Sequence, residues 1–161
     1  MMKKLLLTFS LLFCVSLIIG CGPPRPEGMP SLVSCVLTIL YEDGTPVDNA
    51  DVTLIPENPE LRQWGIVGTT NASGVVTITT HGDFAGAPAG KYRVTVRKDE
   101  IVDTGAVDEF GPVVGALPLI EEEFSNPSRT PLELEVGSRP VRETFRVRRN
   151  ENPVLPAPVP M

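Results

Sequence analysis

The chain has 161 residues, enough for one ordinary domain with appendages. Fourteen Lys and Arg against 20 Asp and Glu leave a net charge of −6, which excludes a basic module built to grip nucleic-acid phosphates. Seventeen Pro and 14 Gly exceed average usage without reaching the low-complexity range, so the chain should fold with many turns.

Lys3 and Lys4 open the sequence, an apolar run of 15 residues from Leu5 to Ile19 follows, and Gly20 precedes Cys21. This is the layout of a secretory signal, and the run is short of the roughly 20 residues that a spanning helix needs. Ile18-Ile19-Gly20-Cys21 resembles the bacterial lipobox. That resemblance implies a lipoprotein signal peptide over residues 1–20, cleavage before Cys21 and a diacylglyceryl group on the Cys21 sulfur. A non-lipid signal or an uncleaved anchor does not explain why Cys falls directly after Gly at the end of the run. Two acyl chains give stable attachment where one gives only reversible binding. Gly22, where retained lipoproteins of Gram-negative bacteria carry Asp, resembles an outer-membrane address. The expected localisation is therefore exported and lipid-anchored to the cell envelope, at the outer membrane in preference to the inner.

Loss of Lys3 and Lys4 with the signal takes the exported chain to −8. Cys14 leaves as well and Cys21 carries the lipid, so Cys35 remains without a disulfide partner. It sits in an apolar run with no activating neighbour and is expected as a small buried hydrophobe.

Residues 21–31 hold the lipidated Cys and a Pro/Gly-rich tether, and residues 150–161 form a Pro-rich tail, NENPVLPAPVPM, expected as a spacer. Between them, residues 32–149 are read as one domain with a dominant period of two. Leu32–Tyr41 has the length and apolarity of a central strand, ended by the turn-forming Asp43-Gly44. Ala50–Ile55 alternates, with Val52 and Leu54 on one face, and Pro56 and Pro59 break the pairing after it. Trp64–Thr70 and Gly74–Thr80 read as a hairpin around Asn71-Ala72-Ser73. Lys91–Lys98 turns Tyr92, Val94 and Val96 inward. Pro131–Val136 sets Leu132, Leu134 and Val136 opposite Glu133 and Glu135, and Val141–Arg148 sets Val141, Phe145 and Val147 against Arg142, Thr144, Arg146 and Arg148. Seven half-polar strands predict two packed sheets, an all-β sandwich. Residues 101–124 show little alternation and are expected to pack over an end or edge, with a short helical turn.

Asp43-Gly44-Thr45-Pro46-Val47 running to Ala50-Asp51-Val52, Thr70-Asn71-Ala72-Ser73-Gly74, and Ala89-Gly90-Lys91-Tyr92-Arg93-Val94-Thr95-Val96 resemble the carboxypeptidase regulatory-like, transthyretin-like β-sandwich family. The resemblance implies a seven-stranded Greek-key sandwich over nearly the whole domain. Phe124 to Leu132 resembles the closing segment of small exported lipoproteins of planctomycete-type bacteria. These motifs encode turns and packing rather than chemistry. In metallocarboxypeptidases the module accompanies a zinc domain, whose HxxE and HExxH patterns do not occur here. The related 5-hydroxyisourate hydrolases carry several His and a C-terminal Tyr-Arg-Gly-Ser, also missing from this sequence.

His81 is the sole His and has no Cys or carboxylate at ligand spacing, so an ordinary loop His is expected. Asp43, Asp48, Asp51 and Glu121-Glu122-Glu123 lack a DxDxDG-type loop and read as a solvated acidic surface. Trp64 and Tyr41 are candidates for sugar stacking, with core capping as the blander role. Arg142, Arg146, Arg148 and Arg149, with Arg93 and Arg97, form a basic stripe expected to pair with Glu133 and Glu135 across a sheet. No catalytic set, metal site or cofactor motif is recognisable. The expectation is a non-enzymatic envelope β-sandwich acting as an interaction or structural module. It would reach the membrane through the lipid on Cys21, with an envelope protein or glycan as partner and no nucleic acid. The alternatives are a glycan- or peptide-binding module using loops at a sandwich end, and an unrecognised hydrolase.

Overall fold

A computed structural model describes residues 24–109 and 111–155. The signal over 1–20, Cys21 and the tail beyond 155 lie outside the described residues. In chain order the strands are β1 (Leu32–Val33), β2 (Cys35–Tyr41), β3 (Asp51–Pro56), β4 (Ile66–Thr69), β5 (Val75–Thr77), β6 (Thr79–Thr80), β7 (Phe84–Ala85), β8 (Ala87–Pro88), β9 (Gly90–Arg97), β10 (Asp99–Asp108), β11 (Gly111–Pro118), β12 (Glu133–Val136) and β13 (Val141–Val147). A 3₁₀ turn, Pro59–Trp64, and one short helix, α1 (Glu122–Ser125), complete the described elements.

The alternation in the sequence becomes a sandwich core. One face of β2 buries Cys35, Leu37, Ile39 and Tyr41, and β9 buries Tyr92, Val94 and Val96. Val52 and Leu54 of β3, Leu132, Leu134 and Val136, and Val147 of β13 meet them in a single cluster. Burying each such side chain contributes about 1.5–3 kcal/mol. The larger sheet runs β12-β9-β3-β4-β6-β7 and the smaller β13-β2-β5. All seven expected runs contain strands, the first divided into β1 and β2, and β7, β8, β10 and β11 are added to them. The first and last long strands, β2 and β13, lie parallel, Cys35 opposite Val141 and Tyr41 opposite Val147.

The expected hairpin at Asn71–Ser73 is corrected in its pairing. The Asn71 side chain accepts from the backbone N–H groups of Ser73 and Val75, so the turn forms. However, β5 pairs with β2, and only β6 pairs with β4, Ile66 opposite Thr80. Ile78 donates to the Cys35 carbonyl at 2.9 Å at the crossing point. One run thus serves both sheets. Gly68 permits this, because a Cβ there would lie 2.5 Å from a Val76 methyl.

Trp64 is also corrected: it ends the 3₁₀ turn instead of opening a strand. Asn58 accepts from the Glu60 N–H and Pro59 follows it, a cap and a pre-set φ that start a helical turn.

The stretch left unplaced by alternation is a long ribbon. β10 and β11 pair antiparallel with each other and with no other strand, Asp99 opposite Pro118 and Asp108 opposite Gly111. The helical turn expected within 101–124 is α1. β10 carries on directly from β9 out of the sandwich end, and Leu119 returns to donate to the Lys98 carbonyl.

The sandwich therefore has two unlike poles. β1 pairs with β8, Leu32 opposite Pro88, immediately before β9 begins at Gly90. The ribbon leaves where β9 ends, beside Tyr41 at the far end of β2. The seven residues of β2 put about 20 Å of strand between the entry of the N-terminal segment and the base of the ribbon.

Candidate functional site

The ribbon pole gathers most of the described ion pairs and two clefts. After β13, Arg148 and Arg149 point to opposite sides of a cleft of about 380 Å³ lined by Tyr41, Glu42, Asp43, Glu121 and Glu151. Arg149 stacks on the Tyr41 ring, 3.5 Å from its centroid, donates to the Thr45 hydroxyl and lies 3.6 Å from the Asp43 carboxylate. Arg148 bridges Glu121 at 2.8 Å and Glu123 at 2.5 Å and covers Phe124 at 5.5 Å. The Glu121 hydrogen bond is the main cause that raises the Arg148 pKa. A Thr45 side-chain hydrogen bond, then the Thr45 N–H, with a smaller share from Arg149, holds the Asp43 carboxyl below the usual carboxylate range. A hydrogen bond from Lys98, 2.7 Å away, does the same for Asp48.

These contacts correct the basic-stripe expectation. Glu133 stands opposite Arg93 in register and Glu135 opposite Lys91, but the described ion pairs are Arg148 with Glu121 and Glu123, Arg149 with Asp43, Arg97 with Asp99, Lys98 with Asp48, and Arg129 with Glu122. The acid run at 121–123 and the turn at 43–45 sit closer to the end of β13 than β12 does. Arg146 donates to the Tyr41 and Glu42 carbonyls. Arg139 and Arg142 form no ion pair with a described residue.

Tyr41 and Trp64 take the core-capping role and not the sugar-stacking one. Tyr41 is 4% exposed and roofed by Arg149, and Trp64 is buried edge-on to His81 at 6.1 Å. Neither ring offers a free face. His81 itself occupies the left-handed region at φ 55, with its N–H bonded to the Trp64 and Gly65 carbonyls. Among the described residues no group of three or more His, Cys, Asp or Glu converges for a metal ion. Cys35 is fully buried, and burial pushes its thiol up to about 11.

The second cleft, about 530 Å³, lies under the ribbon between Val96, Ala116, Pro118, Ile120 and the C-terminal Val154 and Leu155. Asn150 donates to the Leu119 carbonyl through its backbone and to the Pro118 carbonyl through its side chain. The first part of the tail is thus strapped to the ribbon base.

The ribbon is the feature that residue-by-residue reasoning missed. Ile101, Val107 and Val114 are 67%, 77% and 61% exposed, and both strands lack a second neighbour. A sequence signal existed: from Asp99 to Ser128 there are eight Asp and Glu and not one Lys or Arg. An isolated two-stranded ribbon is at best marginally stable in water, and exposed apolar residues on unpaired edges mark a surface for another chain.

No family model and no curated protein matches the chain. Two solved structures are similar. The major pilin subunit of Bacillus cereus aligns at 15% identity and TM-score 0.44, over 74% of this chain and 31% of that one. A 9R-lipoxygenase from Cyanothece aligns at 14% identity and TM-score 0.40, over 89% of this chain and 21% of that one. The chain thus spans about a third of the first and a fifth of the second, and at these scores the likeness says nothing about activity or assembly. The all-β sandwich implied by the carboxypeptidase regulatory-like motifs is present, with no family match behind the narrower assignment.

Proposed function

We propose that this protein is an exported, lipid-anchored, non-enzymatic β-sandwich of the cell envelope that presents its β10–β11 ribbon to another protein. The observation that carries the reading is the placement of the ribbon at the pole opposite β1. A chain tethered through Cys21 would hold its sandwich base toward the lipid surface and its exposed Ile101, Val107 and Val114 away from it. The turn at Gly44, the buried Ala50 and the buried Tyr92 support a carboxypeptidase regulatory-like, Greek-key sandwich as the scaffold, because these three motif residues take turn and packing positions.

The test is fatty-acid labelling and fractionation of cells producing the full chain or its Cys21→Ser variant. The wild type should take up label and sediment with membranes, and Cys21→Ser should do neither while still folding. Membrane attachment of an unlabelled Cys21→Ser chain would sink the anchor. Photo-crosslinking from position 101 in the same cells tests the ribbon, and an absence of any crosslinked protein would sink the interaction reading.

A further inference from the structure

We infer that the partner of the ribbon is the β13 edge of a second copy of this chain, in a reciprocal two-fold dimer. This rests on the interaction reading above and names its partner. β13 ends the order β13-β2-β5, and along Val141–Val147 its outer edge has no ladder partner among the described residues, own-chain pairing starting only past it, where Arg149 bridges Ile120. The two edges differ in charge. β10 starts Asp99-Glu100-Ile101-Val102-Asp103, whereas β13 reads Val141-Arg142-Glu143-Thr144-Phe145-Arg146-Val147 and follows Arg139. Among the described residues, Arg142 and Arg139 have no acidic partner in their own chain, and the Asp103 carboxylate accepts from the Gly105 N–H at 2.8 Å and joins no ion pair.

Antiparallel pairing that sets Ile101 opposite Thr144 brings Asp103 opposite Arg142 and Asp99 opposite Arg146 on the same face. The other face then places Val102 against Glu143 and Glu100 against Phe145, with no like charges opposed. Opposite charges directly across an antiparallel pair stabilise it and like charges oppose it. Asp99 already pairs with Arg97, so discrimination falls on Asp103 and Arg142. Ribbon against ribbon would juxtapose acid with acid and is disfavoured by the same rule. The pairing-competent part of β10 ends where the register shifts between Asp103 and Val107, a bulge that closes the edge beyond it.

Strand direction decides the symmetry. β9, β2 and β13 run from the β1 pole toward the ribbon pole, and β10 starts one residue after β9 ends there and leads away from the sandwich. Antiparallel β10–β13 contact therefore inverts the second copy, whose own ribbon then points back along the first copy's β13. Both contacts form at once, and the contact closes as an isologous dimer instead of growing into a filament. The two β1 poles face outward, so the dimer spans between two anchoring surfaces.

The test is disulfide trapping in the full chain carrying Ile101→Cys and Thr144→Cys together, with the wild type as background. The expected product is a crosslinked dimer and nothing larger. Asp103→Arg alone or Arg142→Asp alone should lower the trapped fraction about tenfold, and the double reversal should restore it. A ladder of higher species overturns the closed dimer, and trapping from Ile101→Cys alone overturns the ribbon-to-β13 pairing. Loss of trapping in both single reversals without restoration overturns the charge match. Photo-crosslinks from position 101 to a different protein overturn self-association while leaving the interaction reading intact, and no crosslink of either kind overturns both.

Discussion

The Arg149 guanidinium lies 3.5 Å from the centroid of the Tyr41 ring and at the same time reaches Thr45 and Asp43. The residue just past the last strand is thereby tied to the end of the first long strand and to the turn that follows it. A cation over an aromatic face at a partly exposed site is worth about 0.5–1 kcal/mol. A double-mutant cycle of Arg149→Ala and Tyr41→Leu in urea should return a coupling of that size. Arg149→Lys should keep less than half of it, because an ammonium lacks the planar group that stacks. Strict additivity of the two changes would remove the stacking from the account.

Acid should loosen the same pole. Asp43 and Asp48 have folded pKa values held below 3.8 by Thr45 and Lys98 respectively. Their contribution is complete above 3.8 and drains away as the pH falls below it, through the depressed folded values. Asp43→Asn combined with Asp48→Asn should flatten the fall in the urea midpoint below pH 4. An unchanged acid limb in the double variant would show that other carboxylates govern it.

Cys35 behaves oppositely. Burial raises its thiol from 9.0 to about 11, so the native protein at pH 8 should resist iodoacetamide, and urea should expose one reactive thiol per exported chain. The associated stability is complete below 9.0 and is lost as the pH climbs through about 11. Tyr92, pushed up to about 12 mainly by burial, adds to the alkaline loss. Rapid alkylation of the folded protein would contradict the buried position.

Tyr92 also donates its hydroxyl to the Pro88 carbonyl at 2.6 Å, inside the core. Tyr92→Phe leaves that acceptor without its partner and should cost about 1–3 kcal/mol, measured by the urea midpoint.

The glycine at position 74 carries a heavier constraint. It sits at φ 73, and a Cβ there would overlap the Ile39 carbonyl oxygen. Gly74→Ala should destabilise by more than the roughly 1 kcal/mol of a helix-interior Gly change in reverse, whereas Gly90, with a Cβ clearance of 3.5 Å to Leu61, should accept Ala readily. Equal effects at the two positions would break this ranking.

Residue order alone determined that the chain is all-β and which faces are buried. Side chains on a strand alternate, so Tyr92, Val94 and Val96, or Leu132, Leu134 and Val136, declare their side without reference to any neighbour. It also marked the turns, since Asp43-Gly44 and Asn71 through Gly74 act through local hydrogen bonds and positive φ. What it could not determine was partnership between distant segments. The parallel β2–β13 pair, the passage of Val75–Thr80 from one sheet to the other, and the choice of Glu121, Glu123 and Asp43 over Glu133 and Glu135 by the terminal arginines all depend on which residues arrive within about 4 Å across long sequence separations. The ribbon was hidden for a related reason: paired only with itself and with none of its described residues buried in the core, β10–β11 has no core face to impose alternation, so its 18 strand residues carry no sustained two-residue period. Only the tertiary structure decided that they leave the sandwich at the pole opposite β1.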